Sequence, residues 1–242
     1  MRLSLLCAAV LGGLSSFSAS AATLVHDYEF NGNGVTDAAG GVDGALFGDA
    51  TVSGGYLHLD GDGDYAQLNA PIFPYAPTND FSVYFAYSGH PAQPGIYTEV
   101  VSQDGGNFYV GSDPSGNIRI GDGYLSVPVA FPIGAHAFLV TSSTVSGTRL
   151  YIDGTLAFSG AGVVSSSPGG GSVTRFGRQF GPHAEFFHGD IDAIRMFTGV
   201  ATYAEAAGAG GVPEPASWAM MLTGFGLAGM AMRRTRAKLR FA

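Results

Sequence analysis

A chain of 242 residues with 38 glycines, 17 phenylalanines, 11 tyrosines and only 12% charged residues suits one domain of short strands and tight turns. Charge is segregated: all 19 acids lie between Asp27 and Glu214, where they face five arginines and no lysine, a net of about −14. Such a body repels phosphate backbones and has no basic stripe, which excludes nucleic acid as a partner.

In chain order, Met1-Arg2 precedes an apolar run from Leu3 to Leu14 and the cleavage pattern Ala19-Ser20-Ala21, so residues 1–21 read as a signal peptide. The run is too short to span a bilayer comfortably. Cys7, the only cysteine, leaves with this leader, so the mature chain forms no internal disulfide.

From residue 22 to 206, short runs alternate apolar and polar residues between glycine turns, the period-2 pattern of half-buried strands. Tyr56–Asp60, Phe81–Tyr87, Asn117–Ile120, Ala137–Thr141 and Thr148–Asp153 are the clearest. Asp153-Gly154 between two such runs predicts a two-residue hairpin. Strands of this kind bury one face against a second sheet, which predicts an all-β, two-sheet antiparallel sandwich.

Chemistry-bearing residues are few. Asp60-Gly-Asp-Gly-Asp64 opens like a calcium loop but carries Tyr65 at the sixth place and Pro71 at the twelfth, so a glycine turn accounts for it better. His183, Glu185, His188 and Asp190 are the densest set of metal-ligand types, yet on a strand 183 and 185 face away from 188 and 190. His58 alternates with Leu57 and Leu59 and so points away from the core. Asp190 and Asp192 share a strand face, but Asp190 beside Gly189 reads as a turn cap. No G-x-S-x-G elbow and no E-x-D-x-x-E run is present, so no catalytic residue is assigned and the chain reads as a non-enzyme.

Residues 207–211 form a Gly/Ala linker to Val212-Pro213-Glu214-Pro215, an apolar stretch over 216–232 and a basic cluster over 233–242. Seventeen helical residues would reach about 25 Å, enough for one transmembrane helix with local thinning. The basic end then stays cytoplasmic and the acidic domain outside.

Motif, span and charge in this order resemble the PEP-CTERM sorting signal, with Trp218 at the membrane entrance and Arg233-Arg234 as the stop. The resemblance implies processing by exosortase in a Gram-negative envelope. The C-terminal helix would anchor the chain transiently in the inner membrane, and the domain would end in the envelope or the extracellular (biofilm) matrix.

The middle of the chain is similar to the laminin G-like, concanavalin A-like jelly roll. The similarity is carried by Tyr28-Glu-Phe-Asn-Gly32, by Tyr56-Leu-His-Leu-Asp-Gly-Asp-Gly-Asp-Tyr65, by Phe81-Ser-Val-Tyr-Phe85, by His136–Thr141 with Leu150–Gly154, and by Phe187–Met196. Ala137 and Ala193 depart from that pattern. The resemblance implies a structural calcium ion where first and last strands meet, held by Asp192 and the Glu29 segment. It also implies a non-catalytic module for extracellular polysaccharide or glycoconjugate; because sugar binding uses exposed aromatics for stacking and Asp or Asn for hydroxyls, Tyr97, Asn107 and Tyr109 are the candidate ligand-binding residues. The alternatives are a structural or adhesive protein–protein interaction domain and, third, a polysaccharide hydrolase or lyase.

Overall fold

Alternation becomes strand throughout the middle of the chain. A computed structural model describes residues 22–73, 80–89, 95–103, 108–121, 125–164, 173–179 and 185–208; the expected signal peptide over 1–21 and the tail from 209 lie outside them. The strands in chain order are β1 (Thr23–Tyr28), β2 (Gly44–Phe47), β3 (Thr51–Ser53), β4 (Tyr56–Asp60), β5 (Tyr65–Leu68), β6 (Phe81–Gly89), β7 (Thr98–Gln103) and β8 (Phe108–Ser112). They continue with β9 (Asn117–Ile120), β10 (Leu125–Ala130), β11 (Gly134–Ser143), β12 (Gly147–Ile152), β13 (Thr155–Gly160), β14 (Thr174–Phe176) and β15 (His188–Thr198). A single short helix among the described residues, α1 (Tyr203–Ala207), follows.

All pairings are antiparallel and make two sheets. The eight-stranded sheet runs β13-β12-β11-β6-β15-β4-β3, with β1 paired to the C-terminal half of β15; the seven-stranded sheet runs β10-β9-β8-β7-β14-β5-β2. The predicted sandwich is therefore the observed one. The expected hairpin joins β12 to β13, where Asp153 (φ 50°) and Gly154 (φ 81°) take the left-handed conformations that a type I′ turn requires. Asp153 also ties that turn to β11, because its carboxylate accepts from the Ala137 amide (2.9 Å) and meets His136 Nδ1 at 2.7 Å.

Between the sheets lies an aromatic core in which Tyr28, Phe85, Phe108, Phe138, Phe176 and Phe187 are fully buried. Phe176 meets Tyr28 edge-on at 5.0 Å, and Phe138 lies 5.0 Å from Phe85. Burial of each such ring is worth roughly 1.5–3 kcal/mol, which is how a sandwich holds together without disulfides.

The outer side of the eight-stranded sheet carries a second apolar layer. Tyr84, Leu139, Ala193 and Phe197 are covered there by Ala201 and Ala206 of the C-terminal segment. A capping box starts α1: the Glu205 amide donates to Thr202 Oγ1 (3.3 Å), and the Thr202 amide donates to Glu205 Oε2 (2.7 Å). No described helix is long and apolar enough to cross a membrane.

Candidate functional site

Strand alternation decides which side chains face out from the seven-stranded sheet. Phe108 and Val110 of β8 and Ile118 and Ile120 of β9 point into the core, so Tyr109 and Arg119 point outward. Register then puts Arg119 opposite Gly111, and Gly111 opposite Glu99 of β7. A Cβ on Gly111 would fall 1.8 Å from the Thr98 carbonyl oxygen, because β7 bulges between Glu99 and Val101. The glycine lets Arg119 reach across β8 to Glu99.

The resulting cluster is charged, aromatic and buried. Arg119 is sandwiched between Tyr97 and Tyr109, 4.1 and 4.3 Å from the ring centroids. Its Nη2 donates both to Glu99 Oε1 and to Glu185 Oε2, the latter at 3.2 Å. Glu99 is wholly buried, and that burial pushes its carboxyl up to about 8; Arg119 pulls it down and Glu185 pushes it further up.

Further along the same face, Arg175 of β14 donates through Nε to Gln67 Oε1 (3.0 Å) and through Nη1 to the Gln179 carbonyl (3.3 Å). Arg178 stacks over Tyr65 (4.7 Å) and Phe186 (5.3 Å). Tyr65 is itself stacked on Phe47 across β5 and β2, centroids 4.9 Å apart and planes 5° from parallel. Five buried side-chain polar atoms of the described residues have no partner. Four belong to this face: Glu99 Oε2, Arg119 Nε, Arg178 Nε and Gln179 Oε1. Two are donors by nature and two are carboxyl or amide oxygens, so the face offers both kinds of hydrogen bond.

The expected calcium residues meet on the other sheet. Glu29 and Asp192 line one recess of about 280 Å³ with Asn31, Tyr84 and Arg195. Arg195 Nη2 donates to Glu29 Oε1 (2.6 Å) and its Nε to Asp27 Oδ1 (3.1 Å); the carboxylate expected beside the ion is that of Asp192, which lines the same recess, while the Glu29 segment was expected to give a backbone oxygen. The two Arg195 pairs make a salt-bridge clasp. Carboxylates without such a cation converge elsewhere: oxygens of Asp49, Asp60 and Asp64 lie within 4.8 Å of one another. Asp64 there closes the glycine turn, accepting from the Asp60 and Gly61 amides at 2.7 and 3.3 Å.

Tyr97 and Tyr109 are thus brought together, around an arginine that sequence reasoning had not singled out. Asn107, His183 and the sorting motif Val212, Pro213, Glu214 and Pro215 lie outside the described residues. The 183–190 set is divided: Glu185 joins Arg119, whereas His188 and Asp190 line a different recess with His58 and Asp60. Asp190 is a partner of His58 (2.7 Å) instead of a turn cap. Glu99, Arg119, Arg175 and Arg178 were missed. The available signal was charge placed between strand-type apolar residues, as in Ile118-Arg119-Ile120.

Comparison with known proteins agrees with the geometry. Residues 60–207, more than half of the chain, match the concanavalin A-like lectin/glucanases superfamily, and residues 211–236 match the PEP-CTERM protein-sorting motif. That motif marks the chain for export, envelope sorting and exosortase processing. No curated protein sequence matches significantly.

Several solved structures share the fold. Domain 4 of AbnA, a GH43 extracellular arabinanase from Geobacillus stearothermophilus, is 17% identical with a TM-score of 0.57, over 78% of this chain and 98% of that one. The binding domain of Paraclostridial Mosquitocidal Protein 1 is 12% identical with a TM-score of 0.58, over 76% of this chain and 51% of that one. Trypanosoma rangeli sialidase is 16% identical with a TM-score of 0.52, over 72% of this chain and 30% of that one. At such identities the likeness is one of fold. From the sheet order and the match over residues 60–207, the chain belongs to the concanavalin A-like lectin/glucanases superfamily.

Proposed function

We propose that this exported sandwich is a non-catalytic module that binds extracellular polysaccharide or glycoconjugate on the outward face of its seven-stranded sheet. The observation that carries the reading is the group of four unpartnered buried polar atoms set among aromatic rings. A sugar ring offers an apolar face to stack and hydroxyls that both donate and accept, so one ligand answers both features. Half-buried Tyr97 lies over Arg119, whose Nε, with Glu99 Oε2 nearby, is a group that a sugar hydroxyl would meet if that ring moved aside. Domain 4 of AbnA, of the same fold, is in complex with arabinotriose, which supports the class of ligand.

Glu99 and Glu185 contact the same Arg119 nitrogen, an approach close enough to raise the two-carboxylate chemistry of glycoside hydrolysis. Glu99, however, has no exposed surface, and both carboxyls are occupied by the guanidinium, which favours binding over bond cleavage. The test is a glycan array probed with the purified protein and its Arg119→Met variant. Saccharide retention that falls about tenfold in the variant is expected. Silence across the array, or release of reducing ends that disappears in Glu185→Gln, would overturn the reading.

A further inference from the structure

The five arginines of the acidic body are unevenly placed. Arg119, Arg175 and Arg178 share the outward face of the seven-stranded sheet, while Arg149 and Arg195 belong to β12 and β15 of the other. Arg119 and Arg195 each meet two acidic side chains. Arg175 and Arg178 have no carboxylate partner among the described residues. They are nevertheless held in place: Gln67 Oε1 and the Gln179 carbonyl fix Arg175, and the rings of Tyr65 and Phe186 support Arg178.

Both guanidiniums lie close to a single ring, Tyr65, at 5.8 and 4.7 Å from its centroid. Two like charges fixed on a half-buried surface repel each other, and an anion set between them relieves that repulsion. A guanidinium is also the side chain that best matches the two oxygens of a carboxylate or sulfate. Arg178 Nε, buried and unpartnered, leaves such a fork incomplete. Beside it, Phe47 is 39% exposed and parallel to Tyr65, an aromatic shelf on which a sugar ring can rest while its acidic substituent meets the arginines.

We infer that the saccharide taken by this face is anionic, with carboxylate or sulfate groups held by Arg175 and Arg178 and a ring stacked on Phe47; this rests on the binding reading above. In a body of net charge about −14 the rest of the surface repels such a polymer, so the same charge pattern that attracts it at this face also orients it.

The test measures equilibrium binding of the purified protein to matched pairs of hexasaccharides. Galacturonate, glucuronate and mannuronate hexamers are each set beside the same oligomer with its carboxyls reduced to alcohols, and a sulfated galactan hexamer beside its desulfated form. The anionic member of at least one pair is expected to bind about tenfold more tightly, and the pair that shows it tells carboxylate from sulfate. Arg175→Gln and Arg178→Gln should each weaken that member about fivefold and together erase the preference, while Arg149→Gln changes nothing. Melting midpoints of the variants confirm that they are folded, and Arg178→Lys, with charge but no fork, should fall between.

Neutral members that bind as well as anionic ones, or a preference that survives the double variant, would overturn the anionic inference and leave saccharide binding standing. Absence of binding to both members of every pair would take down both. Concentration-dependent self-association lost in the double variant would assign the face to a second copy of the chain and overturn the inference as well.

Discussion

Arg119 and Arg195 occupy equivalent settings on opposite outer faces of the sandwich, and they differ in how completely they are satisfied. Each guanidinium meets two carboxylates, Glu99 and Glu185 in one case and Asp27 and Glu29 in the other. Arg195 spends its remaining donors on the Ala206 and Ala207 carbonyls at 3.2 and 3.3 Å, so it clasps β1, β15 and the end of α1. Arg119 leaves Nε without a partner, and its neighbour Glu99 leaves Oε2 without one. Polar groups that close on themselves stabilise the fold; polar groups left open under aromatic rings are set up for something from outside.

The largest expected effect lies on the closed side. Arg195→Met strands Asp27 in a buried position and should cost about 3 kcal/mol in denaturant unfolding. Saccharide affinity per folded molecule should not change, and a loss of affinity would break the division of labour between the faces.

Next is the acid limb of stability. Asp37 sits in the loop after β1 on the clasped side. Burial works against its charge, but hydrogen bonds from the Gly40 amide, the His26 ring and the Asp27 and Val42 amides prevail and hold it down to about 2. The unfolded chain takes up that proton first, so this stability is present above the ordinary carboxyl value of about 4 and is lost as pH falls from there towards 2. The loss should be on the order of 2 kcal/mol by unfolding at each pH, and Asp37→Asn should flatten the limb.

The open side should have the opposite slope. Glu99 is raised in the folded state, so its contribution is present below the ordinary carboxyl value and is lost as pH rises through about 8. Glu99→Gln should remove that slope, so that in unfolding measurements the variant gains on the native chain as pH rises from about 5 to about 9. The smallest effect is at Phe47, exposed on edge strand β2: Phe47→Ala should shift stability by no more than about 0.5 kcal/mol. It should nonetheless weaken saccharide binding about threefold.

How much of this was legible depended on range. The runs at Tyr56–Asp60 and Asn117–Ile120 are strands with the predicted limits, because alternation is a local property of the chain. The Asp153-Gly154 turn was legible for the same reason. α1 was not foreseen, since five residues are too few for a helical stripe and its start depends on the Thr202/Glu205 box. The Arg119 site was hidden by distance. Glu99, Arg119 and Glu185 are 20 and 66 residues apart, and their meeting depends on strand register, the β7 bulge and the space over Gly111. Glu29 and Asp192 line one recess, but the arginine between them came from neither residue's own neighbourhood.

The central claim is tested most directly by an amide-resolved NMR titration of the isotope-labelled protein with the tightest oligosaccharide from the array. Shift changes should concentrate at Tyr97, Glu99, Tyr109, Gly111, Arg119 and Arg178, with Tyr84, Leu139 and Arg195 unmoved. Changes centred on the Arg195 side, with the Arg119 face silent, would contradict the account.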